Sequence, residues 1–152
     1  MRSFWYAAHL LGLVAWMGGA WSAALLGRAG ARMPGADPAR TLQLRVALYR
    51  TLVGPGAIAT VLSGLVLTLS RYGAATSTGG LPRSLIVMQL AGLAAGAITI
   101  VAVLPTALRL TRIDPAGEYA GAYRRLSASL ARWDLVSGLL AVVALLGGAM
   151  MR

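Results

Sequence analysis

Four long stretches without a charged residue alternate with arginine-bearing segments along the chain. These apolar runs are Ser3–Gly27, Thr51–Ser70, Ser84–Leu108 and Leu135–Met151. About 20 apolar residues, at roughly 1.5 Å each, cross the roughly 30 Å hydrocarbon core of a bilayer. Because backbone polar groups in lipid must be satisfied within the segment, the runs are expected to be helices. The pattern predicts an all-α integral membrane four-helix bundle, a single domain over 1–152 with spans at about 3–27, 51–70, 84–108 and 133–151.

The composition supports a membrane protein and removes several classes of function. Hydrophobic residues make up 58% of the chain and charged residues 12%, whereas soluble domains carry about 25% charged residues. No segment outside the apolar runs is long enough for a separate soluble catalytic domain. The chain has no cysteine and one histidine, which excludes disulfides, iron–sulfur clusters and thiolate zinc sites.

The 14 basic residues, all arginines, indicate an orientation. Five lie between Arg28 and Arg50 and five between Arg109 and Arg132, against four elsewhere. Since cytoplasmic loops are enriched in basic residues, we expect the first and third connections in the cytoplasm and both termini on the outer, periplasmic side. The expected location is the bacterial inner (cytoplasmic) membrane, as a multi-pass protein whose partner is the lipid bilayer. The net charge of +10 is split among the span flanks, so no nucleic acid partner is expected.

Both arginine-rich connections contain signals for a helix start. Asp37-Pro38 predicts a helix that begins before the second span, and Asp114-Pro115 gives the same signal before the fourth. An apolar stripe beside arginines then predicts a short amphipathic interfacial helix before the fourth span. The stripe comprises Tyr119, Tyr123, Leu126, Leu130 and Trp133. The remaining connection, 71–83, is rich in glycine and is expected to be a flexible loop.

Small residues and prolines predict how the spans pack. Rows of small residues at every fourth position allow membrane helices to approach closely. Such rows are Gly56, Thr60 and Gly64 in the second span, and Gly92 and Gly96 in the third. Pro55 and Pro105 each remove a backbone hydrogen bond, so a kink is expected at both.

The only histidine, His9, is the residue best able to carry chemistry. It lies six residues into the first span, at a depth of roughly 9 Å by the helical rise. An ionisable side chain at that depth is costly unless it faces a partner or a cofactor. Gly12 and Trp16 share its helical face and leave room beside the imidazole, which suits haem iron. The alternative is a structural histidine that bonds to the backbone or a hydroxyl group of a neighbouring helix.

The residues around His9 resemble a known signature. His9 precedes Trp16-Met17-Gly18-Gly19 by two helical turns, which is similar to the first helix of HemJ-type protoporphyrinogen oxidases and CopD-type copper-resistance membrane domains. Tyr49-Arg50 before Gly54-Pro55 resembles the HemJ second helix, and Leu81–Ile100 fits the third in hydropathy. The resemblance implies four membrane helices with haem b held by His9. For the HemJ group it also implies oxidation of protoporphyrinogen.

The chain departs from the HemJ pattern where that family carries charged groups. Gln89 stands in the position of a lysine, and the approach to the fourth span lacks a Glu-x-Pro element. Such groups can hold tetrapyrrole carboxylates or move protons, so their loss argues against porphyrinogen oxidation but not against a haem site. The cofactor-binding residues proposed on these grounds are His9, Trp16, Met17, Gly12 and Arg50, with His9 as the metal ligand.

Two functional hypotheses from different classes follow. The first is a haem b-associated membrane protein with a redox role, in which His9 is the axial ligand and Trp16 packs on the macrocycle. The sixth position would be open, or filled by water, methionine or a second copy in a homo-oligomer. The second is a non-catalytic accessory subunit of a larger membrane complex. Sparse ionisable residues and abundant glycine and alanine favour this second hypothesis.

Two further possibilities have less support from the residues. Copper transport needs ligands in series, whereas Met17 and Met88 are isolated in the sequence. Arg50 stands at the start of the second span and Asp134 at the start of the fourth. These two residues are candidates for pairing with each other, and Arg50 is also a candidate for binding a haem carboxylate.

Overall fold

The chain is helical over most of the part that the computed structural model describes, which comprises residues 2–35, 37–73, 82–114 and 117–150. These residues form helices and turns, with no strand among them. Most of the predicted loop at 71–83, together with Pro115 and Met151, lies outside them. Four helices are long and apolar enough to cross a membrane, and we number them first to fourth: Arg2–Arg32, Pro38–Tyr72, Arg83–Leu110 and Ala120–Ala149. The all-α prediction is therefore confirmed.

The second helix begins where the sequence predicts. Asp37 caps it by accepting a hydrogen bond from the backbone N–H of Ala39 at 2.9 Å, and Pro38 occupies its first turn. A side-chain acceptor satisfies one N–H that has no partner within the helix, and proline there loses no hydrogen bond. The arginine-bearing segment Pro38–Leu48 is therefore helical ahead of the apolar run.

The fourth helix differs from the prediction in its start and its continuity. It begins at Ala120, after turn residues 117–119, rather than at Asp114-Pro115. It then runs unbroken for 30 residues to Ala149, because residues 122–137 contain neither proline nor glycine to interrupt it. The predicted amphipathic segment is thus the first part of a long helix and not a separate short one.

The predicted stripe on this segment is only partly turned inward. Leu130 is buried, and Tyr123 and Leu126 pack against the buried core. Tyr119 and Trp133, at the two ends of the stripe, are exposed. Tyr119 lies in the turn before the helix begins at Ala120, so it is not part of the helical face.

The four helices pack as two pairs, the first on the second and the third on the fourth. Glycines bring the first pair close together. A Cβ atom added to Gly56 would lie 2.6 Å from the backbone nitrogen of Trp16, and one added to Gly12 would lie 2.9 Å from that of Thr60. Gly64, Gly92 and Gly96 face neighbouring helices as well. In the structure these small residues lie where neighbouring helices approach each other.

The buried core runs along the middle of the molecule and draws on all four helices. Its larger members are Trp16, Leu42, Val46, Tyr49, Val53, Val103, Leu110 and Leu130. The outward faces also carry large apolar side chains, such as the exposed Leu11, Val14, Leu69 and Val101. An apolar outer face on long helices is what contact with lipid requires.

A π-helical turn precedes each of the two prolines expected to disturb the helices. Tyr49–Val53 lies just before Pro55, and Thr99–Val103 just before Pro105. In each segment the residue before the proline donates its N–H to the carbonyl five positions back. The wider turn relieves the clash that a proline ring makes with the carbonyl four positions earlier in a regular α-helix.

The Gly56 contact predicts a sharp cost for a single methyl group. Gly56→Ala places a carbon against the Trp16 backbone, so the first and second helices must separate. Overpacking of this kind costs about 1–3 kcal/mol. Gly18→Ala is the matched control, because a Cβ there meets nothing within 4 Å. Unfolding in detergent, monitored by helical circular dichroism, should give a clearly lower free energy of unfolding for Gly56→Ala than for Gly18→Ala. Equal free energies would contradict the close contact between Gly56 and Trp16.

Candidate functional site

A cavity of about 300 Å³ lies between the two helix pairs, near the end of the molecule where the first helix begins and the fourth ends. We call it the His9 cavity. Its polar lining residues are His9, Thr60 and Gln89, and no charged residue lines it within the part of the chain that the structure describes. Small side chains leave the space: Gly64, Gly92, Ala141, Ala144 and Gly148. The volume is at the lower end of the roughly 300–1,000 Å³ found for ligand pockets.

His9 is held on the second helix by one of its two ring nitrogens. Nδ1 lies 2.9 Å from the backbone carbonyl oxygen of Thr60 and 3.3 Å from Oγ of Ser63. A carbonyl can only accept, so Nδ1 carries the proton and donates it to Thr60. In a neutral imidazole the other nitrogen, Nε2, then has a free lone pair. Among the described residues no group is hydrogen-bonded to Nε2.

Trp16 forms the inner wall of the cavity and joins three helices. Its indole Nε1–H donates to Oγ1 of Thr99 at 3.2 Å, and Thr99 Oγ1 lies 2.7 Å from Oγ of Ser137. Both hydroxyl oxygens also lie within hydrogen-bond distance of the Ala95 backbone carbonyl, which accepts from one of them while the proton of the other joins the two hydroxyl groups. All of these polar groups are buried, so the network satisfies them where no water reaches. The prediction that Trp16 lies on the face of His9 is borne out by their shared cavity.

The third helix contributes two lining residues whose role the sequence did not assign. Met88 and Gln89 both line the cavity, and the Gln89 side-chain amide donates to Oγ1 of Thr68 on the second helix. Sequence reasoning noted Gln89 only as a replacement for lysine and Met88 only as isolated. A polar residue within an apolar span was the available signal for Gln89. For Met88, the sequence contains no comparable signal.

Three of the residues proposed as cofactor ligands lie away from the His9 cavity. Gly12 is buried against Thr60 as a packing residue. Met17 is partly buried against the core and does not line the cavity. Arg50 is exposed on the second helix, ten residues before the cavity residue Thr60. At roughly 1.5 Å per residue that separation is about 15 Å. The cavity thus brings together only His9 and Trp16 of the predicted set.

A second polar cluster lies at the arginine-rich end of the molecule. The fully buried Tyr49 donates its hydroxyl proton to Oδ2 of Asp134 at 2.6 Å. Arg45 interacts electrostatically with both residues, and its Nε is buried without a hydrogen-bond partner among the described residues. Asp134 therefore pairs with Tyr49 and not with Arg50, the partner considered from sequence. This cluster ties the second helix to the fourth.

The number and type of metal-binding side chains limit the kind of metal centre that the cavity could hold. Among the described residues no group of three histidine, cysteine or acidic side chains lies close enough to bind a metal ion. A single imidazole does not retain a bare zinc or copper ion. Haem differs because the porphyrin supplies four nitrogen ligands and the protein adds one axial histidine. A backbone carbonyl that orients the ligand histidine is the usual outer-shell partner. His9 therefore fits a haem iron better than a free metal ion.

The comparisons with known proteins add no family to this geometry. The chain matches no protein-family model, no curated protein and no solved structure.

The Tyr49–Asp134 hydrogen bond predicts a stability effect at the arginine-rich end. Tyr49→Phe leaves a half-buried carboxylate without its donor, which costs about 1–3 kcal/mol. Tyr119→Phe is the control, since Tyr119 is exposed, and it should change the unfolding free energy very little. Detergent unfolding of the two variants beside the parent measures the difference. A Tyr49→Phe variant as stable as the parent would show that the bond contributes nothing.

Proposed function

We propose that this chain is a haem b-associated multi-pass membrane protein, similar to the HemJ/CopD-like group, with His9 as the axial ligand of the iron. The observation that carries the proposal is the hydrogen bond from His9 Nδ1 to the Thr60 carbonyl. It leaves the lone pair of Nε2 free beside a largely apolar cavity. When bound, haem would supply one-electron redox chemistry, which is the cofactor's own.

The residues of the chain have distinct parts in this proposal. The Thr60 carbonyl and the Ser63 hydroxyl fix the orientation of the imidazole. Trp16 offers an aromatic wall that its bond to Thr99 holds in place. Glycine and alanine side chains leave the space, and Met88 is the only thioether among the lining residues. A sixth ligand from the protein would therefore come from Met88 rather than from Met17.

The proposed orientation rests on the arginines. Ten of the 14 flank the end of the helices opposite the His9 cavity, and positively charged segments remain in the cytoplasm. Both termini and the cavity then lie toward the outer side of the membrane. A bacterial inner membrane is the location that we propose on this basis.

The haem proposal predicts an absorption spectrum. Protein purified in mild detergent after expression with haem supply should show a Soret band that His9→Gln removes. The glutamine amide can still donate to the Thr60 carbonyl, but it lacks the imidazole lone pair that binds iron. Helical circular dichroism should be the same in both proteins. A parent protein without a Soret band, or a His9→Gln variant with an unchanged one, would overturn the proposal.

A cavity-filling pair of variants separates ligand binding from folding. Gly92→Leu adds a side chain to the wall of the cavity, where the nearest atom to a new Cβ is Ala144 Cβ at 3.7 Å. It should reduce the haem content of the purified protein by half or more. Gly138→Leu should retain full haem content, because a Cβ there meets nothing within 4 Å and does not line the cavity. Equal haem content in the two variants would place the haem elsewhere.

The proposed orientation can be tested because the chain has no native cysteine. Ser3→Cys should react in intact cells with a maleimide that cannot cross membranes. Arg112→Cys, in the third connection, should react only after the cells are permeabilised. If Arg112→Cys alone were labelled in intact cells, the opposite orientation would be correct.

An accessory subunit without chemistry of its own is the second candidate. The contacts of Nδ1 with Thr60 and Ser63 favour this candidate, because they satisfy one of the two ring nitrogens of His9 within the protein. This candidate predicts a colourless chain that purifies in fixed ratio with other membrane subunits. A free, haem-loaded protein would exclude it.

A further inference from the structure

The His9 cavity is closed on three of its four sides. Between the first and second helices, the glycine contacts at Gly12 and Gly56 bring the two backbones together. Between the second and third, Gln89 bonds to Thr68, and a Cβ on Gly96 would lie 2.7 Å from Val61 Cγ2.

The third and fourth helices close the next side equally tightly. A Cβ on Gly147 would lie 3.2 Å from both the backbone nitrogen of Met88 and the carbonyl oxygen of Ser84. Gly148 packs against Met88 Sδ, and Gly92 faces Ala144.

The fourth side, between the first and fourth helices, lacks contacts of this kind. Within the described residues no hydrogen bond joins these two helices, and none of their glycines packs on the other. Leu10 and Leu13 line the cavity from the first helix, and Leu145 and Ala149 from the fourth. Leu10 is 59% exposed and Leu145 49% exposed. We call this side the lateral opening.

We propose that the lateral opening is the route by which a membrane-dissolved ligand reaches His9. The ligand is then a lipid-soluble compound, and the proposed haem site indicates that it is a ring. The inference rests on the proposed haem site, and haem belongs to this class. The opening has leucine and alanine side chains and no charged group. Both leucines lie within apolar runs of the sequence, so the opening faces acyl chains rather than water in a spanning helix.

The cavity alone does not hold a whole porphyrin, because its volume is only about 300 Å³. In this proposal part of such a ring would therefore lie in the lateral opening, between the first and fourth helices. Arg2, Arg71 and Arg83 stand at the helix ends on the same side of the molecule as the cavity.

Trp16 provides a test that does not depend on haem. A variant with Trp5, Trp21 and Trp133 changed to phenylalanine keeps the cavity tryptophan as the only fluorophore. In haem-free vesicles of phosphatidylcholine with brominated acyl chains, Trp16 should lose half or more of its fluorescence, although it is only 4% exposed. Aqueous iodide should quench it little. A variant that keeps only Trp21, which is 62% exposed, serves as the positive control for quenching by lipid.

Closing the lateral opening should protect Trp16. Leu10→Cys with Leu145→Cys, joined by a flexible bis-maleimide, should restore most of the Trp16 fluorescence in brominated lipid and leave Trp21 quenched. The same pair capped with a mono-maleimide is the control for labelling. Ala149→Phe, a bulkier side chain at the rim, gives a second variant should the cysteine pair fail to fold, and it should also protect Trp16.

The outcomes separate this inference from the proposed function. Lipid quenching that the cross-link prevents supports the lateral opening, even if no Soret band is found and the haem proposal fails. Quenching by iodide and not by brominated lipid would overturn the inference, as would lipid quenching that the cross-link and Ala149→Phe leave unchanged. Where haem does bind, the cross-linked protein should take it up at least tenfold more slowly than the capped control.

Discussion

The need to satisfy polar groups where no water reaches governs the interior of this molecule. The Trp16 indole donates to the Thr99 hydroxyl, which with the Ser137 hydroxyl lies against the Ala95 carbonyl, and this network connects the first, third and fourth helices. Apolar packing between membrane helices has little directional preference, since lipid is as apolar as leucine. A few buried hydrogen bonds therefore determine which faces of the helices meet.

His9 and Tyr49 follow the same rule at opposite ends of the helices. Each has a side chain held by one fixed partner on a neighbouring helix, the Thr60 carbonyl and the Asp134 carboxylate respectively. The difference lies in what remains. Tyr49 is fully buried and uses its only proton, so its role is completed by the contact. His9 keeps a second nitrogen beside the larger cavity, and for this reason we place the proposed ligand chemistry there.

The hydrophobic pattern predicts the helices, but it does not predict all the residues that line the His9 cavity. Apolar runs predict spanning helices because their length is compared with a fixed bilayer thickness, and Asp37-Pro38 predicts a start because capping is local. Met88, Gln89 and Ala144 could not be assigned, because the neighbours of a helix face depend on how two helices are rotated about their axes. Arg50 was proposed from its motif, which indicates a residue's chemistry; its separation from His9 along the spans was already expected from the length of a span. The fourth helix begins at Ala120, later than the signal at Asp114 predicts, because residues 117–119 form a turn.

The two π-helical turns have a consequence for how this sequence tolerates change. Each turn holds one more residue than an α-helix needs over the same rise, and one residue corresponds to about 100° of rotation. Loss of a single residue from Thr99–Val103 would let the turn close to a regular α-helical one over the same rise, so the two halves of the third helix would keep their relative rotation. The cost would be the clash of the Pro105 ring with the carbonyl four positions earlier. A deletion elsewhere in the same helix would instead rotate all the residues beyond it by about 100°. These two short segments are thus the places where the spanning helices can accept a change in length.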